Sequence, residues 1–219
     1  MLINDSVMQE ESSETQLIRV FLDLETEDLS AKTLLQISAI SENNIEFNAF
    51  INPGKTLSQH CFRFTQLHFS KGDLFRNGEK VTSLDERTAL NRFKTYLENL
   101  KTNISLVAFN GLGFDNAVLI KHFQLSNIDF PQCVKAFEDP LPCLKKHFKS
   151  NKPENFKLGT LAKIFKVPLI CAHDSRDDSK CLKEICEAFC KENSVTLENF
   201  LKPYLKQPGH YLNKKVQKS

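Results

Sequence analysis

Four carboxylates and one histidine are spread along this 219-residue chain in an order that suits metal-assisted phosphodiester hydrolysis: Asp23, Glu25, Asp115, His173 and Asp178. That reaction needs an attacking hydroxide, a neutralised phosphate and a stabilised leaving oxygen, and two divalent cations about 4 Å apart supply all three. Hard cations take carboxylate oxygens, which makes Asp23, Glu25, Asp115 and Asp178 the ligand candidates. An imidazole titrating near neutrality can take a proton from water, the role open to His173.

The surrounding pattern has to bring these five groups together. Asp23 and Glu25 end the apolar run Leu17-Ile18-Arg19-Val20-Phe21-Leu22, and side chains two apart in a strand share a face, so both can grip one cation. Asp115 follows the strand-like Ser105-Leu106-Val107-Ala108-Phe109 and the turn Asn110-Gly111, at the start of a helical pattern. His173 falls in a loop, and Asp178 in the first turn of the next helix. Two further strands are expected over 33–40 and 45–51, joined by the polar hairpin signal Ser41-Glu42-Asn43-Asn44, with Pro53-Gly54 closing the second. Residues 54–81 read as a long irregular connection anchored by Phe62, Phe64, Leu67, Phe69, Leu74 and Phe75.

Ser83 and Glu86 read as a capping box ahead of Leu90, Phe93, Leu97 and Leu100 at helical spacing. The remaining pattern is strand (104–109), helix (114–124), strand (132–137) and helices over 141–148, 158–166, 175–191 and 195–205. A meander of three strands followed by αβαβ and a helical tail describes an α/β fold, a mixed five-stranded sheet with helices on both faces. In such sheets ligands gather where strand ends meet helix starts, and the five residues fall there.

The length allows one substantial core and one domain, expected over 15–206. Residues 1–14 hold Asp5, Glu10, Glu11 and Glu14 without a basic residue, and the last nineteen hold five lysines without an acid, so 1–14 and 207–219 read as solvated tails. The net charge of +2 neither demands nor excludes nucleic acid. Seven cysteines, an odd number, with no signal peptide and no apolar run of membrane-spanning length, point to a reduced intracellular setting, nucleus or cytoplasm, and to no membrane partner. Cys181, Cys186 and Cys190 share a predicted helix at offsets that do not align all three, which favours buried thiols over zinc. Lys145, Lys146, Lys149, Lys152, Lys157, Lys163 and Lys166 face only Glu154 over 141–168 and are a surface able to track a phosphate backbone, or an ordinary solvated face.

The segments VFLDLET, LVAFNGLGFDNAVL and AHDSRDD resemble the three motifs of the DEDDh exonucleases, the DnaQ-like branch of the RNase H-like fold. FNAFINP, the F-T-Q-L segment at 64–67, FEDPLPCLKKHF and FKLGTLAKIFKV resemble the matching stretches of three-prime repair exonucleases and of the exonuclease-like domain of the promyelocytic leukaemia protein. The resemblance runs from about residue 17 to 190 and implies the RNase H-like three-layer fold. It implies release of nucleoside 5′-monophosphates from a free 3′ end, with two Mg2+ (or Mn2+) ions on Asp23, Glu25, Asp115 and Asp178 and with His173 as the general base. The tyrosine-bearing sister branch would have a tyrosine at position 174, where this chain has Asp174. For the substrate, it implies that Leu29 wedges against the terminal base, that the backbone at Thr26 holds the 3′ end and that Asn110 supports the strand, the alternative for each being local packing, with Leu29 as a core leucine; Arg176 would meet a phosphate or pair with Asp174. The expected partner is single-stranded DNA, with RNA as the alternative, and a homodimer is compatible with the reading.

The chain departs from the family pattern at Asp28 and Gln66, where glycine is usual, and at Phe109, where histidine is common. A carboxylate at position 28 would set charge beside a phosphate and weaken binding, unless Asp28 caps the turn. Asp28 and Gln66 are what favours the rival reading, a pseudo-exonuclease that binds nucleic acid or protein without turnover.

Overall fold

A computed structural model describes residues 17–30 and 33–212 of the chain. The strands β1 (Leu17–Thr26), β2 (Leu34–Ser41) and β3 (Glu46–Ile51) form an antiparallel meander. The chain then makes α1 (Gln59–Thr65), a separate antiparallel sheet of β4 (Leu67–Ser70), β5 (Asp73–Arg76) and β6 (Glu79–Val81), and the two-residue β7 (Ser83–Leu84). Next come α2 (Glu86–Asn99), β8 (Asn103–Ala108), α3 (Asp115–Leu125) and β9 (Val134–Glu138). The helices α4 (Pro140–His147), α5 (Leu158–Phe165), α6 (Ser175–Asn193) and α7 (Leu197–Leu201), a 3-10 turn over Lys202–Tyr204 and α8 (Gly209–Leu212) complete the fold.

The main sheet runs β7-β3-β2-β1-β8-β9, with β1 antiparallel to β2 and parallel to β8. The period-two alternation of β1 divides the core. Val20, Leu22 and Leu24 pack with Ala89, Leu90, Phe93 and Leu97 of α2 and with Val118, Leu119 and Phe123 of α3. Phe21 faces the other way, onto Leu161 and Phe165 of α5 and Leu182, Ile185 and Phe189 of α6. Asp23 and Glu25 have the parity of Phe21, so the strand directs them toward the layer that contains α6. The expected α/β architecture, a mixed sheet between helical layers, is the one observed; the five expected strands are β3-β2-β1-β8-β9, and β7 extends that sheet by a short parallel pairing of Ser83 with Phe50.

That sixth strand changes the start of α2. Ser83 lies in β7, so no capping box forms; the cap is Asp85, whose side chain accepts from the Thr88 N–H at 2.9 Å. The Glu86 carboxylate instead meets His122 Nδ1 at 2.9 Å and Ser126 Oγ at 3.1 Å. Residues 54–81 are also more regular than their composition implies. Lys71-Gly72 and Asn77-Gly78 both have positive φ at each residue, which is the backbone of tight two-residue hairpin turns. The small sheet they build is fastened to the main one by Leu67 and Leu74 packing with Cys61 and Leu35, flanked by Phe50.

At the other end, Lys206 pairs with Phe137 through two backbone hydrogen bonds of 2.8 Å, and the buried Tyr211 ring sits 5.3 Å from Phe137. The ordered unit therefore includes 207–212, which were expected in the tail; the acidic 1–14 segment and residues 213–219 lie outside the described residues. No helix among the described residues is long and apolar enough to cross a membrane.

Loss of an N-cap side chain costs about 1 kcal/mol, and in a protein of this size that is about 3 °C in Tm. Asp85→Ala is expected to lower Tm by that amount in a thermal melt, with Ser83→Ala changing it by less than half as much; the reverse order would restore the capping box.

Candidate active site

All five residues line one cleft at the sheet edge where β1 and β8 end, a cavity of about 450 Å³ walled also by Leu24, Leu29, Phe109, Asn110, Gly113 and Phe114. Glu25, Asp115 and Asp178 are buried and Asp23 is half-buried, while His173 is exposed at the mouth. Ligand atoms of Glu25, His173 and Asp178 lie within 4.8 Å of one another.

Each group is delivered by a different device. Asp23 and Glu25 sit opposite Ser38 and Gln36 of β2, just before the register shifts between Glu25 and Thr26. Asp115 opens α3 beyond the Asn110–Phe114 turn, and Asp139 shapes that turn. Its Oδ1 accepts from the N–H of Asn110 at 3.1 Å and of Leu141 at 3.0 Å, and its Oδ2 from Leu112 N–H at 3.2 Å. Gly111 is required by close approach, since a Cβ there would lie 2.6 Å from the Ala108 Cβ. Asn110 has a φ of +59°, a left-handed conformation that asparagine tolerates better than most residues.

The N-terminus of α6 is pinned to β2. Ser38 and Ser175 share a hydroxyl hydrogen bond of 2.6 Å, and Gln36 Nε2 donates to Asp174 Oδ1 at 3.0 Å. Asp178, one turn on, accepts the His173 N–H at 3.0 Å on Oδ2, which ties the loop carrying the imidazole to a carboxylate of the cluster.

Burial governs the electrostatics, with the crowding of acids adding to it. Burial, then Glu25, Asp115 and Asp178, hold Asp23 well above the usual carboxylate range. Glu25 is pushed up to about 8 by burial, Asp178 and Asp115, against a partial opposing pull from Arg76. Asp115 rises to about 7 through burial and Asp139, countered by its own N–H and that of Leu24; Asp178 rises to about 6 through burial and Asp177, countered by the His173 N–H and Arg76. Burial and the nearby Lys157 lower the pKa of His173, so the imidazole stays neutral over a wider range. A half-buried set of oxygen donors that repel one another fits hard divalent cations, and Asp23, Glu25, Asp115 and Asp178 are the residues that would hold them.

The predicted substrate contacts divide. Leu29 is 89 % exposed at the lip of the cleft, which removes its reading as a core leucine. Asn110 lines the cleft and is exposed. The Thr26 hydroxyl donates to the Asp28 carbonyl at 2.9 Å, so its side chain is spent on the turn. Arg176 is turned away: Nε and Nη2 meet Glu46 Oε2 at 3.0 and 2.9 Å, and only its backbone N–H reaches Asp174. Asp28 is exposed, and its Oδ1 accepts from the Ser30 N–H at 2.7 Å and from the Ser30 hydroxyl, a turn-capping arrangement. Gln66 occupies the left-handed cap of α1 at φ +57°, which is why glycine suits the position.

Two contributors escaped the sequence reading. Phe64, half exposed on α1, sets its ring edge-on to His173 at 5.5 Å, and Arg76 of the small sheet reaches the loop that carries His173. The seven lysines over 145–166 are all exposed. Cys181, Cys186 and Cys190 pack into the apolar cluster under α6, where burial raises all three thiols.

Because the four acids have higher pKa values folded than unfolded, the folded state binds more protons. The stability they confer is present below about pH 4 and is lost as pH rises toward 8. In chelator, Tm is expected to fall by several degrees between pH 5.5 and 8.5, at about 3 °C per kcal/mol. Glu25→Gln should raise the metal-free Tm at pH 8.5, and millimolar Mg2+ should flatten the parent's decline. A metal-free Tm that held steady or rose over this range would mean that the acids do not repel as described.

No family model matches the chain, and no curated protein matches it. Solved structures do. Escherichia coli exonuclease I in complex with a dA16 oligonucleotide superposes with a TM-score of 0.66 at 15 % identity over 82 % of this chain and 42 % of its own. The zinc-bound exonuclease I–single-stranded DNA complex gives 0.66 at 16 % identity over the same shares. The nuclease domain of 3′hExo, a DEDDh family member bound to rAMP, gives 0.61 at 14 % identity over 84 % of this chain and 95 % of that domain. The chain thus spans about two-fifths of exonuclease I and nearly the whole of the 3′hExo domain. What is shared at these identities is the architecture: the chain has the RNase H-like fold of the DEDDh-type 3′-to-5′ exonucleases.

Proposed function

We propose that this protein is a metal-dependent 3′-to-5′ exonuclease that removes nucleoside 5′-monophosphates from single-stranded nucleic acid. The convergence of Asp23, Glu25, Asp115, Asp178 and His173 in one open cleft carries the reading. The cost of holding four acids together is hard to account for without cations. Mg2+ or Mn2+ bound there would supply an activated water and neutralise the phosphate.

The chain's own residues do the rest. Asp23 and Glu25 come from a rigid strand and Asp115 and Asp178 from helix starts, so the ligand geometry is set before substrate arrives. His173, neutral and exposed beside Asp178, is placed to take the proton of the attacking water. Leu29 offers an apolar surface for the terminal base, and Asn110 lies across the cleft from it. Lys157, close enough to lower the His173 pKa, begins a basic surface along which the strand can run. The likeness to exonuclease I bound to single-stranded oligonucleotides supports DNA as substrate, and the likeness to 3′hExo bound to rAMP keeps RNA as the alternative. The pseudo-exonuclease reading loses its main support, because the Asp28 carboxylate is engaged in its own turn and does not line the cleft.

Purified protein with Mg2+ should digest 3′-labelled single strands, with a 3′-phosphate or a closed circle resisting and a 5′ block having no effect. Efficient cutting of circles would replace the proposal with an endonuclease. Asp23→Asn should abolish turnover with the fold intact. His173→Ala should lose about 10²-fold in kcat with metal binding retained. At saturating Mg2+, which keeps the ligand carboxylates ionised, the parent's pH profile should drop below the usual imidazole midpoint of about 6.5, since the base must be neutral and its pKa is lowered. Asp28→Gly should cost a little stability and gain no activity; tighter substrate binding in that variant would show that the carboxylate does oppose the phosphate.

A further inference from the structure

We infer that Arg76 is the positioning residue for His173, and that the small β4-β5-β6 sheet serves to deliver it. The inference rests on the reading of His173 as the base. The Arg76 side chain is only 11 % exposed although it belongs to a short accessory strand. Its guanidinium forks: Nη1 forms an ion pair with Asp174, and Nη2 meets Cys171 Sγ at 3.2 Å. Cys171 and Asp174 bracket Ala172-His173, so one planar group grips the loop on both sides of the imidazole.

The loop needs such a grip. His173 has a φ of +63°, a left-handed conformation that an L-residue adopts only at a cost, and the segment from 166 to 174 has no helix or strand of its own. Its neighbour Ile170 is 88 % exposed and contributes no anchoring burial. Its other restraints include the Asp178 carboxylate on the His173 N–H, the Cys171 carbonyl on the Asp174 N–H, Gln36 on Asp174, Val167 and Leu169 packed against the α5 and α6 cluster, and the T-shaped contact of Phe64 with the imidazole. Gln36 and Arg76 thus hold Asp174 from the main and the small sheet respectively.

Arg76 stands on a firm base. It ends β5 opposite Leu67, and Leu67 and Leu74 are buried against Leu35 of β2. A lysine would present one ammonium where the fork presents two diverging donors, so it cannot hold both partners at once. Arg76 also places positive charge toward Glu25 and Asp178, and the test has to separate charge from positioning.

Arg76→Met, Arg76→Lys and Asp174→Asn are made in the full chain, each alone and combined with His173→Ala. Single-strand digestion is measured with Mn2+, and hydrogen exchange is followed over 171–175. Each single variant should lose about tenfold or more in kcat with KM within about twofold, and the loss should vanish in the His173→Ala background. The 171–175 amides should exchange about tenfold faster or more while Tm falls only a few degrees. Parental kcat in Arg76→Lys would reduce the role to charge, a full additive loss without His173 would place Arg76 with the carboxylates or the substrate, and unchanged exchange would mean that the loop is held by other contacts. Should the parent digest nothing, the nuclease reading fails on its own, and the exchange rates still decide whether Arg76 holds the loop.

Discussion

Mutual repulsion among four buried or half-buried carboxylates at one end of β1 is the constraint on which this structure turns. Two unit charges about 5 Å apart at an effective dielectric of about 20 repel by about 3 kcal/mol, against a whole-domain stability of about 5–15 kcal/mol. The upward displacement of Glu25 to about 8 expresses burial first and then this repulsion, from Asp178 and Asp115, as proton affinity; Asp115 rises to about 7 through burial, with Asp139 adding to it. A chain that keeps such a cluster must oppose its dispersal with structure, and the strongest elements of the fold are placed to do so.

The central strand carries two of the acids and is paired with β8 up to Leu22 and with β2 in continuous register up to Glu25. Asp139, itself buried, fixes the turn before Asp115 through two backbone donors, the N–H groups of Asn110 and Leu112, so one carboxylate outside the cleft organises another within it. The α6 helix is held on β2 by polar contacts, Ser38 to Ser175 and Gln36 to Asp174, at the end where Asp178 must point inward, and by Leu182, Ile185 and Phe189 farther along. The helix is thus held by polar pins at the site end and by apolar packing at the far end.

Much of this was legible in the residues. The parity of Asp23 and Glu25 on an apolar strand, the helix start at Asp115 and the position of Asp178 in a first turn follow from periods of 2 and 3.6, and long apolar segments state those periods clearly. The small sheet was harder to see because its strands are three or four residues long, too short to show alternation, although Asn77-Gly78 marked a turn. Arg176 was misjudged for a related reason: proximity in sequence to Asp174 and Asp178 does not reveal that a helix turns it toward Glu46 of β3. Asp28 was ambiguous between a charge at the substrate and a cap on a turn, and only the position of Ser30 decides it. Contacts between distant segments, such as Arg76 with Asp174, leave no local pattern at all.

The site therefore joins parts of unequal rigidity. Groups that hold a metal must be fixed within a fraction of an ångström, and the four acids proposed for that role sit on a central strand and two helix starts. The histidine sits on a loop in a left-handed conformation, exposed, and tied by its own N–H to Asp178. That tie has a consequence for order of events. The same Asp178 carboxylate that is positioned to meet a cation also accepts the His173 N–H, so whatever fixes Asp178 fixes the backbone of the base. On the proposed reading, cation binding and placement of the imidazole would be coupled through a single side chain, and the loop that carries His173 would be held most firmly when the carboxylate cluster beneath it is neutralised.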